Sequence, residues 1–198
     1  MMISEREWYN QDMPENKTLT PMQKLAGHLK TVHDHRREVR RCCFACGLYY
    51  QGLTHDLSKY SPAELAESVK YFQGWRSPYD AERELYGYAP GWLHHKGLNR
   101  HHWEYWYDMQ KGAYRPVKMP YRYLVESVCD RIAASRVYLK ENYTQASPLE
   151  YFLARPARNY MHPETAAEME AILRDVAENG EDAAFARIRE IMKKRSVR

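Results

Sequence analysis

Histidine and aspartate side chains that could bind a metal ion are concentrated in the middle of this chain. Eight of its nine histidines lie between residues 28 and 102, and the sharpest local motif is His55-Asp56-Leu57-Ser58-Lys59. An adjacent His-Asp pair at a helix end can direct an imidazole nitrogen and a carboxylate oxygen at one ion. Such mixed ligation suits divalent Mn, Fe, Co, Ni or Zn. Lys59 would bring a cation to the same rim, where it could bind phosphate.

Helical geometry restricts which other histidines can join this pair. His28 falls on the apolar face of the first predicted helix, and His35 lies near that face seven residues further on. Seven residues span about 10 Å of helix, so these two side chains cannot easily bind the same ion. The structural alternative for a histidine on this face is a core residue satisfied by hydrogen bonds.

Four further histidines lie close together in two adjacent pairs, His94-His95 and His101-His102. One imidazole of each pair could bind a metal while the other contacts substrate or orients a ligand. Asn99, Arg100 and Glu104 could orient ligands or hold an anionic substrate, and local helix capping is their alternative role.

Asp130 is the last candidate ligand. It lies away from the apolar face of its predicted helix, and its neighbours one and two turns on include Ala133, Ala134 and Val137. Side chains of this size leave room for another helix or an ion. A buried carboxylate needs a partner, and the alternative to a metal is an ion pair with Arg131, Arg136 or Arg100.

Helix signals place these motifs on successive helices. Proline residues after a capping or turn residue predict helix starts at Pro21, Pro62, Pro120 and Pro148. Residues 163–178 and 182–194 predict an amphipathic hairpin of two helices. We expect loops at 74–89 and 112–120, with a short helix over 102–110. No segment shows clear period-two alternation, so the sequence predicts an all-α fold.

Composition excludes several classes of protein. The 198 residues are 44% hydrophobic and 28% charged, as expected of an ordered globular chain. The longest nearly uncharged apolar stretch, Cys42–Tyr50, is too short for a membrane span, and the first 16 residues resemble no signal peptide. An excess of four positive charges is too small to indicate nucleic acid binding. The buried-type cysteines Cys42, Cys43 and Cys46 predict core packing, and we expect a reducing, cytoplasmic location.

The order of these motifs resembles the HD superfamily of metal-dependent phosphohydrolases. It is similar above all to an uncharacterised family of small bacterial and phage HD-like proteins with HDxSK and NRHHxE motifs. The resemblance covers residues 25–140 and implies an all-helical HD core. In the superfamily pattern His28, His55, Asp56 and Asp130 map to the one-metal ligand set. One histidine each of His94/His95 and His101/His102 maps to the extra ligands of two-metal members.

The predicted organisation has three parts. Residues 1–20 form an N-terminal arm, residues 21–145 the HD-like core, and residues 146–198 a helical extension packed on that core.

The resemblance implies metal-assisted hydrolysis of a small phosphate ester, nucleotides included, with one or two divalent transition metal ions. Asp56 would position the hydroxide, Lys59 and Arg100 would neutralise phosphate charge, and Glu104 could move the leaving-group proton.

Two other functions stay open. Some HD-like proteins use a di-iron centre for oxygenation, and this ligand set would permit one. A non-catalytic binding module is the other alternative, because the first helix carries the basic residues Lys30, Arg36, Arg37, Arg40 and Arg41.

Overall fold

The computed structural model describes residues 19–196, apart from the side chain of Ser196, and its described part is all-α. Its α-helices are α1 Pro21–Ala45, α2 Tyr49–Thr54, α3 Pro62–Lys70, α4 Pro78–Tyr86, α5 Pro90–Leu98, α6 Tyr121–Leu139, α7 Ser147–Ala154, α8 Pro163–Asn179 and α9 Glu181–Ser196. Short 3-10 turns cover Leu57–Tyr60, Trp103–Tyr105, Lys140–Asn142 and Pro156–Asn159. The predicted arm falls almost entirely outside the described residues.

Helix starts follow the capping signals of the sequence. The Thr20 hydroxyl accepts a hydrogen bond from the backbone N–H of Gln23, and the Gln23 side chain accepts one from the Thr20 N–H. This reciprocal capping box fixes the start of α1. Proline is the first residue of α3 and α8 and the second residue of α7, so these helices begin at or within one residue of the expected starts.

Two regions differ in secondary structure from the prediction. The expected loop at 74–89 includes α4, which ends where Gly87 takes a left-handed conformation. The expected helix over 102–110 is wrong. Strands β1 Tyr107–Gln110 and β2 Ala113–Pro116 pair there as an antiparallel hairpin. Its two turn residues, Lys111 and Gly112, have φ values of 50° and 77°, as tight hairpin turns require.

The hydrophobic core lies between α1, α6 and the C-terminal helices. Fully buried side chains from these helices form one cluster, which includes Val39, Leu124, Ile132, Phe152, Met169, Leu173 and Phe185. All four cysteines are buried in this cluster and are unbridged, which confirms the prediction of core packing. Helices α8 and α9 contact each other as the expected hairpin. Among the described helices, none combines the length and apolar composition that crossing a bilayer requires.

Candidate metal centre

The His55-Asp56 turn is held in an unusual backbone conformation. Helix α2 ends at Thr54, and Asp56 takes a left-handed conformation with φ 53° and ψ 29°. Aspartate is among the few residues that tolerate this region, and such outliers concentrate at functional sites. The Arg36 guanidinium on α1 donates hydrogen bonds to the carbonyls of His55, at 2.8 Å, and Leu53, at 3.1 Å. Arg36 therefore fixes the turn from which Asp56 projects.

A first set of metal-ligating atoms joins α1, this turn and α6. It comprises His35, His55, Asp56 and Asp130, whose ligand atoms all lie within 4.8 Å of one another. The Nε2 atom of His35 is 3.0 Å from Asp130 Oδ1, and the Nε2 atom of His55 is 3.4 Å from Asp56 Oδ2. Two imidazoles and two carboxylates at such distances fit one divalent transition metal ion.

A second set shares Asp56 with the first. It comprises Asp56, His95, His101 and His102, again with all ligand atoms within 4.8 Å. The Asp56 Oδ1 atom is 3.3 Å from His95 Nε2 and 3.4 Å from His101 Nε2. Because the two oxygens of Asp56 face different sets, this carboxylate offers a ligand atom to each set.

Two buried glutamates fix the orientation of the inward imidazoles. Glu126 Oε1 on α6 lies 3.0 Å from His55 Nδ1 and 3.2 Å from His101 Nδ1. Glu64 on α3 accepts from His95 Nδ1 at 2.7 Å. When Nδ1 donates to a carboxylate, Nε2 is left deprotonated and available to a metal.

The ligand atoms lack the partners that buried polar atoms normally have. The Nε2 atoms of His35, His55, His101 and His102, together with Asp56 Oδ1, are buried and make no hydrogen bond of good geometry. Carboxylate oxygens lie 3.0 to 3.4 Å from the first three of these nitrogens without being aligned for one. Buried polar atoms have hydrogen-bond partners in the great majority of cases. Five such atoms without one, grouped in the two ligand sets, are explained if metal coordination takes the place of hydrogen bonds. The residues present therefore fit a His/Asp-bound metal.

The charged side chains of the two ligand sets shift one another's pKa values. Burial alone would raise the pKa of Asp56, but His55 and Lys59 hold that pKa well below its usual range. Burial opposes protonation of His55 as well, yet Asp56 and Asp130 raise its pKa well above the usual value. Burial and the neighbouring imidazoles keep the pKa of His102 well below normal. Metal ligands must be deprotonated, so binding would displace a proton from the cluster.

Five residues of the two ligand sets line a cavity of about 860 Å³: His35, Asp56, His95, His102 and Asp130. Asp130, Ala134 and Val137 line it together, so the small neighbours of Asp130 do leave open space, as the sequence indicated. The cavity also contains Lys59, whose ammonium lies 2.7 Å from Asp56 Oδ2. A volume of this size is typical of sites for small molecules.

Two candidate metal ligands, His28 and His94, lie outside both ligand sets, and the candidate phosphate-binding residue Arg100 lies away from the cavity. His28 lines the cavity and packs edge-on against Phe72, and burial followed by the Lys59 charge lowers its pKa to about 4. His94 is partly exposed and contacts the other oxygen of Glu64 at 2.9 Å. Arg100 is exposed, donates to Tyr123 at 3.2 Å and is not among the cavity-lining residues. In place of His28, the structure brings His35 to the cluster.

Several residues that support the centre carried a signal that the sequence analysis interpreted differently or left out. Glu64 fits the capping pattern of α3, and Ser61 does accept from its backbone N–H, but its carboxylate holds His94 and His95. Glu126 lies one helical turn before Asp130 and so shares its face. Arg36 belongs to the basic run of α1, which we did not connect to the His55-Asp56 turn.

Comparison with known families gives one finding. A family model described as a family of unknown function (DUF5662) matches residues 24–175. The chain belongs to this family. The match to DUF5662 includes every residue of both ligand sets and extends through α7 and most of α8. Searches of curated proteins and of solved structures found no match.

Proposed function

We propose that this DUF5662 protein is a metal-dependent phosphohydrolase that acts on small phosphate esters. The observation that supports it most is the shared carboxylate of Asp56, which faces two sets of unsatisfied ligand atoms at the wall of a small-molecule cavity. Bound divalent metals lower the pKa of a coordinated water to about 7 and polarise a phosphoryl oxygen.

The surrounding side chains suit an anionic substrate. Lys59 is four-fifths buried beside Asp56 and lines the cavity, so its ammonium can neutralise a phosphoryl oxygen. Nearby Asp56 raises the pKa of Lys59 despite its burial, which keeps the side chain charged. Glu104 also lines the cavity, and burial raises the pKa of its carboxyl.

Hydrolysis of chromogenic esters tests this function. Protein stripped with a chelator and reloaded separately with Mn, Fe, Co, Ni or Zn would be assayed on 4-nitrophenyl phosphate and bis(4-nitrophenyl) phosphate. We expect metal-dependent release of nitrophenol, reduced about 100-fold in Lys59→Met because a positioned cation stabilises the charge of the transition state. The control Lys30→Met removes an exposed lysine of α1 and keeps the wild-type rate. Absence of hydrolysis with every metal would contradict the proposal.

A di-iron oxygenase is the second candidate, because the same two histidine-rich sets around Asp56 also suit iron. Visible absorbance of the iron-loaded protein together with oxygen consumption would favour it over the hydrolase.

The basic run of α1 gives the binding-module alternative little support. Lys30 and Arg37 pair with Asp34, and Arg41 pairs with Glu38 and Glu181. These charges are largely neutralised within the protein.

A further inference from the structure

One region of the cavity contains two oppositely charged groups that are not satisfied by the protein. Glu104 Oε2 and Arg131 Nε are both buried without a hydrogen-bond partner, and both residues line the cavity. Neither residue belongs to a ligand set. Leaving such atoms unsatisfied destabilises the folded protein, so their presence is explained if a ligand satisfies them.

These two groups do not satisfy each other. Arg131 is the cation with the largest electrostatic effect on Glu104, yet no salt bridge joins them in the described part of the chain. The Arg131 guanidinium lies 5.5 Å from the centre of the Phe152 ring on α7, which holds it in place. Glu104 is held by the 3-10 turn Trp103–Tyr105.

Three other cations at the cavity, Arg76, Arg83 and Lys59, are engaged by carboxylates. Arg76 binds Glu84 through both terminal nitrogens, at 2.5 and 2.6 Å, and Arg83 binds Asp80 at 2.8 Å. Lys59 is paired with Asp56. Arg131 differs from them in having a buried donor with no acceptor.

Two stacked aromatic rings line the same cavity as Glu104 and Arg131. The rings of Trp103 and Tyr160 both line the cavity, with planes within 16° and centroids 6.3 Å apart. Flat aromatic surfaces of this kind bind planar rings by stacking.

The chemistry of the pair restricts what can bridge it. An ionised carboxylate only accepts hydrogen bonds and a guanidinium only donates them. A second phosphate would offer acceptors to Arg131 but would repel Glu104. A ligand that satisfies both must present a hydrogen-bond acceptor to Arg131 and an N–H or O–H donor to Glu104.

We propose that Glu104 and Arg131 recognise a lactam edge, C=O beside N–H, on a planar heterocycle in the leaving group of the substrate. Arg131 donates to the carbonyl oxygen and Glu104 accepts from the ring N–H. This inference rests on the proposed function, because it places the scissile phosphate at the metal centre. The substrate class is then a phosphate ester of an oxo-heterocycle, such as an oxopurine nucleotide.

Binding of two matched analogues tests the pair. The probes are non-hydrolysable methylenephosphonate analogues of inosine 5′-monophosphate and purine riboside 5′-monophosphate, which differ only in the lactam. Calorimetry on the metal-loaded protein should show at least about tenfold tighter binding of the inosine analogue, because an analogue without the lactam leaves buried groups unpaired. Glu104→Leu and Arg131→Leu should each reduce this preference to about twofold or less.

Two further variants control for misfolding. Arg122→Leu removes an exposed arginine of the same helix and should keep the full preference. Glu104→Gln retains an acceptor oxygen and should keep a larger part of the preference than Glu104→Leu does. Equal affinity of the wild type for both analogues, or no binding of either, would contradict the proposed recognition by Glu104 and Arg131. A Glu104→Leu variant that keeps the wild-type preference for the inosine analogue would contradict it as well.

Hydrolysis of 4-nitrophenyl phosphate by the same preparations separates the two proposals. If 4-nitrophenyl phosphate is hydrolysed but the protein does not prefer the inosine analogue, only the proposed role of Glu104 and Arg131 is contradicted. If the inosine analogue is preferred but 4-nitrophenyl phosphate is not hydrolysed, the role of Glu104 and Arg131 is supported and the phosphohydrolase proposal is contradicted.

Discussion

Asp56 is the residue that connects the two ligand sets. Its left-handed backbone is fixed through Arg36, its Oδ1 atom faces His95 and His101, and its Oδ2 atom faces His55 and the Lys59 ammonium. No other carboxylate in the described chain belongs to both four-residue ligand sets. Loss of Asp56 should therefore affect both sets, whereas loss of one histidine should affect only its own.

Substitution of Glu126 tests whether the imidazoles of His55 and His101 are oriented for metal binding. Glu126→Ala removes the acceptor that His55 and His101 share, so their rings lose their fixed tautomer and orientation. We expect metal affinity to fall about 10- to 100-fold, measured by competition with a chromogenic chelator.

The matched control is Glu170→Ala, which breaks an exposed pair with Arg174 on α8. Unchanged metal affinity in Glu126→Ala would show that this carboxylate does not support the centre.

At the residue scale, the sequence predicted the central motif better than its distant partners. His55, Asp56 and Asp130 were found because their types and order were distinctive. His28 and His35 both lie on the buried side of α1, and only the packing of α1 against α6 determines which of them meets Asp130. That packing is a long-range property that spacing along one helix does not contain.

Among the elements, α1 is the helix that organises the site. It packs against α6 in the core, supplies His35 and Arg36 to the centre, and contacts α3 through its first turns. Gly27 allows the close approach of Phe72, which follows α3. A Cβ atom at Gly27 would lie 2.5 Å from Phe72 Cε1.

A pair of glycine substitutions tests this packing. Gly27→Ala should lower the free energy of unfolding by about 1–3 kcal/mol, because the added methyl overpacks against the Phe72 ring. Gly97→Ala on α5 meets no atom within 4 Å and should raise stability by up to about 1 kcal/mol through helix propensity.

Urea titrations of both variants and the wild type measure the difference. A Gly27→Ala variant as stable as Gly97→Ala would show that the contact with Phe72 is not tight.

Elements with strong local signals were predictable, and short ones were not. The caps at Thr20 and Ser61 and the prolines at helix starts fixed the long helices. Helix α4 has nine residues, as α3 does, but its Ser77 makes no side-chain capping hydrogen bond, and the hairpin strands have only four residues each. Elements this short depend on tertiary contacts more than on their own sequence pattern.

For the whole molecule, Glu181 connects the C-terminal hairpin to the helices that carry the site. At the start of α9 it binds Arg41 of α1 at 2.8 Å, Arg136 of α6 at 2.5 Å and the Tyr143 hydroxyl at 2.7 Å. Burial would raise the pKa of Glu181, but its hydrogen bonds to Arg136, Arg41 and Tyr143 lower it below the usual 4.5.

This network makes stability depend on pH in a defined direction. A carboxyl whose pKa is lower in the folded state adds stability above its unfolded pKa, and that stability is lost as pH falls through the folded value. Glu181→Gln should therefore cost about 1–3 kcal/mol near pH 7 and flatten the loss of stability below about pH 4.5.

Denaturation at several pH values measures both effects. Glu190→Gln, which alters an exposed pair with Lys193, should leave stability nearly unchanged at every pH. A Glu181→Gln protein with the wild-type pH profile would contradict the role of this network.

The central claim is that Asp56 bridges two metal sites, and metal stoichiometry by mass spectrometry tests it most directly. After stripping and reloading without a metal-binding tag, the wild type should hold about two equivalents of a divalent transition metal. His35→Ala and His95→Ala should each hold about one, Asp56→Ala close to none, and the control His162→Ala about two. A wild type that binds no metal, or an Asp56→Ala variant that keeps the full amount, would contradict the account.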